Sequence, residues 1–161
     1  MKPISHGGPR KSPSDPGVRK LVLYVEDEES NRKVAQLRLG RTYDLLLATN
    51  DREACEILAT QGSALYAVLM DIELKGSTLS GIQLTQLLRG RLPPDQIPSF
   101  ARNVPVLDSL LILFVSAYGG RYQEDELVKH GGNKLISKPV NFIELTNAIT
   151  FFHLDRARSG R

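Results

Sequence analysis

The chain has 161 residues, of which 41% are hydrophobic and 24% charged, with a single cysteine and no tryptophan. That length suits one domain able to bury a core. The longest apolar runs, such as residues 110–115, fall far short of the roughly 20 residues a bilayer-spanning helix needs. The net charge of +3 is unevenly spread, with residues 1–20 at +4, residues 153–161 at +2 and residues 21–152 at −3, so a basic face for nucleic acid is not expected on the body.

Residues 1–18 are rich in Pro, Gly and Ser and have basic residues but no apolar segment. They read as a disordered basic leader rather than a secretory signal. The lone Cys55 allows no intramolecular disulfide and fits a reducing cytosol, so a cytoplasmic location with no membrane insertion is the expectation.

From residue 19 apolar runs alternate with helical patterns. LVLYV (21–25) reads as an apolar strand, and residues 29–40 as a helix with Val34 and Leu37 at helical spacing, ending in Gly40. A second strand (43–49) precedes a helix (51–62) that opens on Asp51 and stops at Gly62. YAVLM (66–70) is a third strand, followed by a helix over 80–90 and a Pro-containing stretch, 91–109. LLILFVS (110–116) is a fourth strand, followed by a helix over 121–130. KLIS (134–137) is the fifth, and residues 141–158 form the last helix behind an Asn141 cap. A 159–161 tail remains.

Five strands alternating with five helices make (βα)5. Strands apolar along their whole length imply a parallel sheet covered on both faces, in three layers with right-handed crossovers. Ligands bind such sheets outside the carboxyl ends of the strands. On that rim the first strand ends in Glu26 and Asp27, the third in Asp71, the fourth in Ser116 and the fifth in Lys138 before Pro139.

Three carboxylates held together repel unless a cation joins them. With no Cys or His nearby, oxygen ligands select Mg²⁺ or a similar hard ion. An Asp can be a nucleophile that forms an aspartyl-phosphate, a lysine is a point charge for phosphate, and a hydroxyl donates to its oxygens. The set reads as a phosphate acceptor. Glu28 and Glu29 fit the start of the first helix, where acids suit the dipole.

The segments YVEDEESNR, LMDIELKGSTLSGIQL, FVSAY and ISKPV, in this order over about residues 20–155, resemble the receiver domain of bacterial response regulators, the CheY-like family. The resemblance implies a flavodoxin-like doubly wound sheet of strand order 2-1-3-4-5, with a receiver domain over residues 19–158. It implies Asp71 as the phosphoacceptor, Glu26 and Asp27 as the acidic pair for Mg²⁺, and Glu73 as the donor of a backbone carbonyl to the metal. Ser116 matches the switch hydroxyl, Ala117 the small residue beside it, and Lys138 the family lysine, with a cis bond to Pro139.

Three features depart from the family pattern. Leu135 stands where an aromatic is usual, the loop from Asp71 to Gly81 is about two residues longer than the commonest pattern, and the 91–109 connection exceeds the usual loop length. An aromatic swinging at position 135 therefore cannot carry the switch.

Elsewhere Cys55 reads as core, and His6, His130 and His153 receive no site role. Tyr118 is expected to shape access to phosphate, and Phe151 with Phe152 to pack the last helix. The basic tails read as solubilising.

The expected function is a single-domain response regulator that takes a phosphoryl group from a sensor histidine kinase or phosphotransfer protein. It would signal by contact with a downstream protein, or by phosphorylation-dependent homodimerisation, through the face of the fourth helix, fifth strand and fifth helix. It is a switch rather than a metabolic enzyme. The alternatives are a pseudo-receiver that binds partners without cycling phosphate, and a haloacid-dehalogenase-type phosphohydrolase. The latter would want an Asp where Glu73 stands.

Overall fold

The computed structural model describes residues 17–117 and 121–160. Most of the leader and Tyr118 lie outside the described residues. Five strands, β1 (Lys20–Val25), β2 (Tyr43–Ala48), β3 (Ala67–Asp71), β4 (Ile112–Ser116) and β5 (Lys134–Ser137), alternate with five helices. These are α1 (Glu29–Leu39), α2 (Asp51–Gln61), α3 (Gly81–Leu88), α4 (Glu124–Lys129) and α5 (Phe142–Arg158). All strand pairs are parallel, and the order is β2-β1-β3-β4-β5. The doubly wound sheet expected from the sequence is present.

Period-two alternation divides the apolar strands between two cores. Leu23, Val25, Val68, Met70, Ile112 and Phe114 face one layer, with Ala54, Leu58, Leu84 and Leu88 of α2 and α3. Val22, Tyr24, Leu69, Leu113 and Val115 face the other, with Ala35, Leu39, Leu145 and Ile149 of α1 and α5. Burying each such aliphatic side chain contributes roughly 1.5–3 kcal/mol, which is why β3 and β4 have no polar position before their last residues, Asp71 and Ser116.

The strand edges and helix faces correct several expectations. Val34 is 45% and Leu37 75% exposed, and the stripe α1 buries is Ala35 and Leu39. Val34 and Leu37 lie on the opposite side of the helix from that stripe, so both face solvent. Helix α2 opens on Asp51 as expected, and Asn50 before it supplies the cap, its side chain accepting from Glu53 N. Helix α4 is shorter than the sequence pattern, beginning at Glu124. Leu110 and Leu111 are buried but precede β4. Phe152 packs into the α1–α5 core, whereas Phe151 is 67% exposed, so the pair divides between packing and surface. Cys55 is core, and burial together with the Asp51 charge pushes its thiol up to about 12, which leaves it inert.

The long 91–109 connection is built, not loose. It contains two 3-10 turns, Pro94–Gln96 and Ser99–Ala101, and buries Leu92 and Ala101. Phe100 lies under the Arg52 guanidinium of α2, 4.5 Å from carbon to ring centroid. Arg89, itself nearly buried, closes the connection: its guanidinium donates to Leu107 O, Leu110 O and Gly131 O and to Asn133 Oδ1.

Candidate functional site at the carboxyl rim of the sheet

The register brings the polar strand ends to one place. Val25 lies beside Met70, Asp71 beside Val115, and Ser116 beside Ser137, so the carboxyl ends of β1, β3, β4 and β5 deliver Glu26, Asp71, Ser116 and Lys138 within two residues of the same height. Lys138 N donates to Ser116 O at 2.8 Å, and the Lys138–Pro139 bond is cis, as the motif implied.

Glu26, Asp27 and Asp71 each offer an oxygen within 4.8 Å of the others. Lys138 Nζ donates to Glu26 Oε2 at 2.7 Å and to Asp71 Oδ2 at 3.0 Å. Ser116 is buried beside them at the end of β4. The expected acids, hydroxyl and lysine are therefore brought together.

Glu26 is fully buried and accepts four hydrogen bonds, from Tyr24 Oη and Lys138 Nζ on Oε2 and from Glu28 N and Asn31 Nδ2 on Oε1. Burial would raise its carboxyl, but Lys138, the Glu28 amide and Asn31 outweigh it and hold it below the usual range. Asp71 behaves in the opposite way. Burial first, and the Glu26 charge second, push it up to about 7 despite the pull of Lys138. Lys138 is desolvated too, yet its two carboxylate partners raise it above the ordinary lysine value. One site thus holds a firmly ionised Glu26 and an Asp71 at the edge of ionisation.

The donor set fits a divalent cation. With all three acids ionised and Lys138 protonated the cluster carries a formal charge of −2. Its ligand atoms are carboxylate oxygens only, the chemistry that Mg²⁺ prefers. Glu26 already has four donors, which leaves Asp27 and Asp71 with the more open oxygen positions. The Glu73 backbone amide donates to Asp71 Oδ1 at 3.3 Å, and the Lys75 amide to Asp27 Oδ2 at 3.0 Å.

Several residues of this neighbourhood fall within the YVEDEESNR segment but have no role that the sequence assigns. Tyr24 reads as core until its hydroxyl is seen against Glu26. In the first helix, Asn31 braces the Glu26 carboxylate and Arg32 donates to the Glu26 carbonyl. Glu73 turns its own carboxylate to Arg121 at 3.0 Å and to Tyr122 Oη at 3.3 Å.

A five-stranded parallel sheet of this order, with three acids and a lysine converging on its carboxyl rim, defines a receiver domain. The family model for the response regulator receiver domain matches residues 22–150, and the chain belongs to that family. An NtrX-like response regulator of Rickettsia conorii is 26% identical over 130 residues, 80% of this chain but 24% of that protein. The chain thus spans about a quarter of the curated relatives it matches. Among solved structures, a response regulator receiver domain protein from Clostridium thermocellum superposes with a TM-score of 0.70 at 16% identity, covering 88% of this chain and 99% of that one. The receiver domain of Saccharomyces cerevisiae Ssk1, solved with the histidine phosphotransfer protein Ypd1, is 26% identical with a TM-score of 0.62, covering 83% and 88%. No helix among the described residues is long and apolar enough to cross a membrane.

Proposed function

We propose that this domain is a phosphorylation switch in which Asp71 accepts a phosphoryl group from a phosphohistidine of a kinase or phosphotransfer protein. The observation that carries the proposal is the Asp71 carboxylate, buried between the Glu26–Asp27 pair and the Lys138 ammonium. Asp71 Oδ attacks phosphorus in line as the N–P bond breaks, and the donor imidazole keeps that bond's electrons. Lys138 then stays paired with the equatorial oxygens and Ser116 supplies a hydroxyl donor, both charge-stabilising roles. Mg²⁺, held by Asp27 and Asp71 with the Glu73 carbonyl and the charge of Glu26, would neutralise the oxygens during transfer. Hydrolysis of the acyl-phosphate resets the switch, and the domain turns over no metabolite.

The partner contact of Ypd1 with Ssk1, a relative of this chain, supports a phosphotransfer partner. Val128 of α4 and Ile143 and Phe151 of α5 are exposed apolar residues on the face assigned to output, suited to a downstream protein or a second phosphorylated copy. The bacterial NtrX-like relatives support a bacterial, cytoplasmic two-component setting. A pseudo-receiver is favoured by one feature: Leu135, whose amide is held by Glu124 Oε2, offers no aromatic to move.

Labelling by an acyl-phosphate donor in Mg²⁺ separates the readings. Wild-type protein should incorporate one phosphoryl group and Asp71→Asn none. Label that persists in the variant, or wild type that never labels while still binding Mg²⁺, would sink the phosphoacceptor assignment.

A further inference from the structure

Asp51 has a role outside the expected site. It stands in the first turn of α2 and is buried to 2% exposure. Its Oδ2 accepts from the amides of Thr78 and Leu79, each at 2.8 Å, and its Oδ1 from Arg52 N at 2.9 Å. Its own amide donates to Ser77 Oγ at 3.0 Å. No lysine or arginine forms an ion pair with it among the described residues. Burying a carboxylate is expensive unless every lone pair is used, and here most of the bonds go to one loop, residues 77–79, about 26 positions downstream in sequence.

That loop is the one extended beyond the commonest length, and it joins Asp71 to α3. Its earlier residues reach the acids: Glu73 N donates to Asp71, and Lys75 N to Asp27. Between them and the anchor the chain turns sharply, with Ser77 N donating to Leu74 O and Gly76 at a φ of +77°, in the left-handed region. The loop is therefore tied at one end to two site carboxylates and at the other to Asp51. A loop two residues longer has more ways to move, and the amides at 73 and 75 can aim at their acceptors only if its far end is fixed.

We infer that Asp51 is a positioning residue for the site, which locks the 73–79 loop so that its amides orient Asp27 and Asp71 for a divalent cation. This rests on the phosphoacceptor reading above. Asp51 touches neither the cation nor phosphate; it acts through the Thr78 and Leu79 amides. Changes to such supporting partners of metal ligands typically weaken metal binding by about 10–100-fold.

The test measures Mg²⁺ binding by calorimetry on the full chain, alongside amide hydrogen exchange in the cation-free protein. Asp51→Asn keeps the volume but sets an amide group against the Arg52 or Thr78–Leu79 donors. Ser77→Ala removes one tie only and guards against a variant that fails to fold. Expected are a Mg²⁺ dissociation constant raised about tenfold in Asp51→Asn and less in Ser77→Ala, with faster exchange at the Glu73 and Lys75 amides. Unchanged Mg²⁺ affinity and unchanged exchange at 73 and 75, with only the melting temperature lowered, would reduce Asp51 to a structural cap and overturn the inference. Wild type that binds no Mg²⁺ would instead overturn the phosphoacceptor reading.

Discussion

Asp71 is the residue whose environment differs most from that of a free side chain. Its carboxyl goes from an ordinary 3.8 to about 7, chiefly through burial and then through the Glu26 charge. The folded protein therefore holds a proton that the unfolded chain releases between those two values, and stability rises as pH falls through that window. Above pH 7 the ionised group works against folding. Asp71→Asn removes that penalty, so the cation-free variant should melt about 4 °C higher than wild type at pH 8. The difference should shrink as pH falls through that window and vanish only below about pH 4, in thermal scans by circular dichroism.

Lys138 shows the complementary effect. It is the sole cation bonded to both Glu26 and Asp71 among the described residues. Lys138→Met leaves two buried carboxylates facing each other, and breaking a buried pair from one side costs about 3–5 kcal/mol. Denaturant titration should show that loss at pH 8, and a smaller one at pH 6, where Asp71 can take up a proton.

At the scale of elements, helix and strand ends are held by contacts with little room for change. Gly81 opens α3, with Ser80 and Gln83 forming a reciprocal cap around it. A Cβ at Gly81 would fall on the backbone carbonyl of Asp71 and against Met70. Gly81→Ala should thus cost about 1–3 kcal/mol and displace the end of β3. Loss of Mg²⁺-dependent acyl-phosphate labelling beyond what the stability change explains would register that displacement.

Arg89 holds a different junction. Its planar fork bonds the 107–110 segment, Gly131 O and Asn133 Oδ1 at once. Lysine has the charge but not the fork. Arg89→Lys should lower stability by about 2–3 kcal/mol and speed hydrogen exchange at Ile112, whose amide donates to Asn133 Oδ1.

The whole molecule couples these parts. The α2–α3 side of the sheet carries the extended loop and the 91–109 connection, while the α1–α5 side is completed by Tyr66, whose ring stacks on His153 at 3.6 Å. The acids lie at the rim between the two, so a cation that draws them together stabilises the native state as a whole. Mg²⁺ at 100 times its dissociation constant should add about 2.7 kcal/mol to the unfolding free energy. Calorimetric melting with and without Mg²⁺ should show a clear rise for wild type and little for Asp71→Asn.

Apolar runs without alternation, punctuated at regular intervals, sufficed to predict a parallel sheet, because only strands covered on both faces can be apolar throughout. Acids and a lysine at the carboxyl ends of those strands sufficed to point to the rim, because parallel order delivers every such end to one edge. By itself, then, the sequence determined the layers, the strand ends and the identity of Glu26, Asp27, Asp71, Ser116 and Lys138 as neighbours. It left the helix faces open: Val34 and Leu37 have helical spacing, but so do Ala35 and Leu39, and only packing on the sheet decides that the second stripe is the buried one. It also left Asp51 looking like a helix opener and the 91–109 stretch looking like a loop. Their partners, Thr78 and Leu79 for the one and the Arg89-closed turns packed on α2 for the other, lie far along the chain, and pairings of that range exist only once the tertiary structure has brought the segments together.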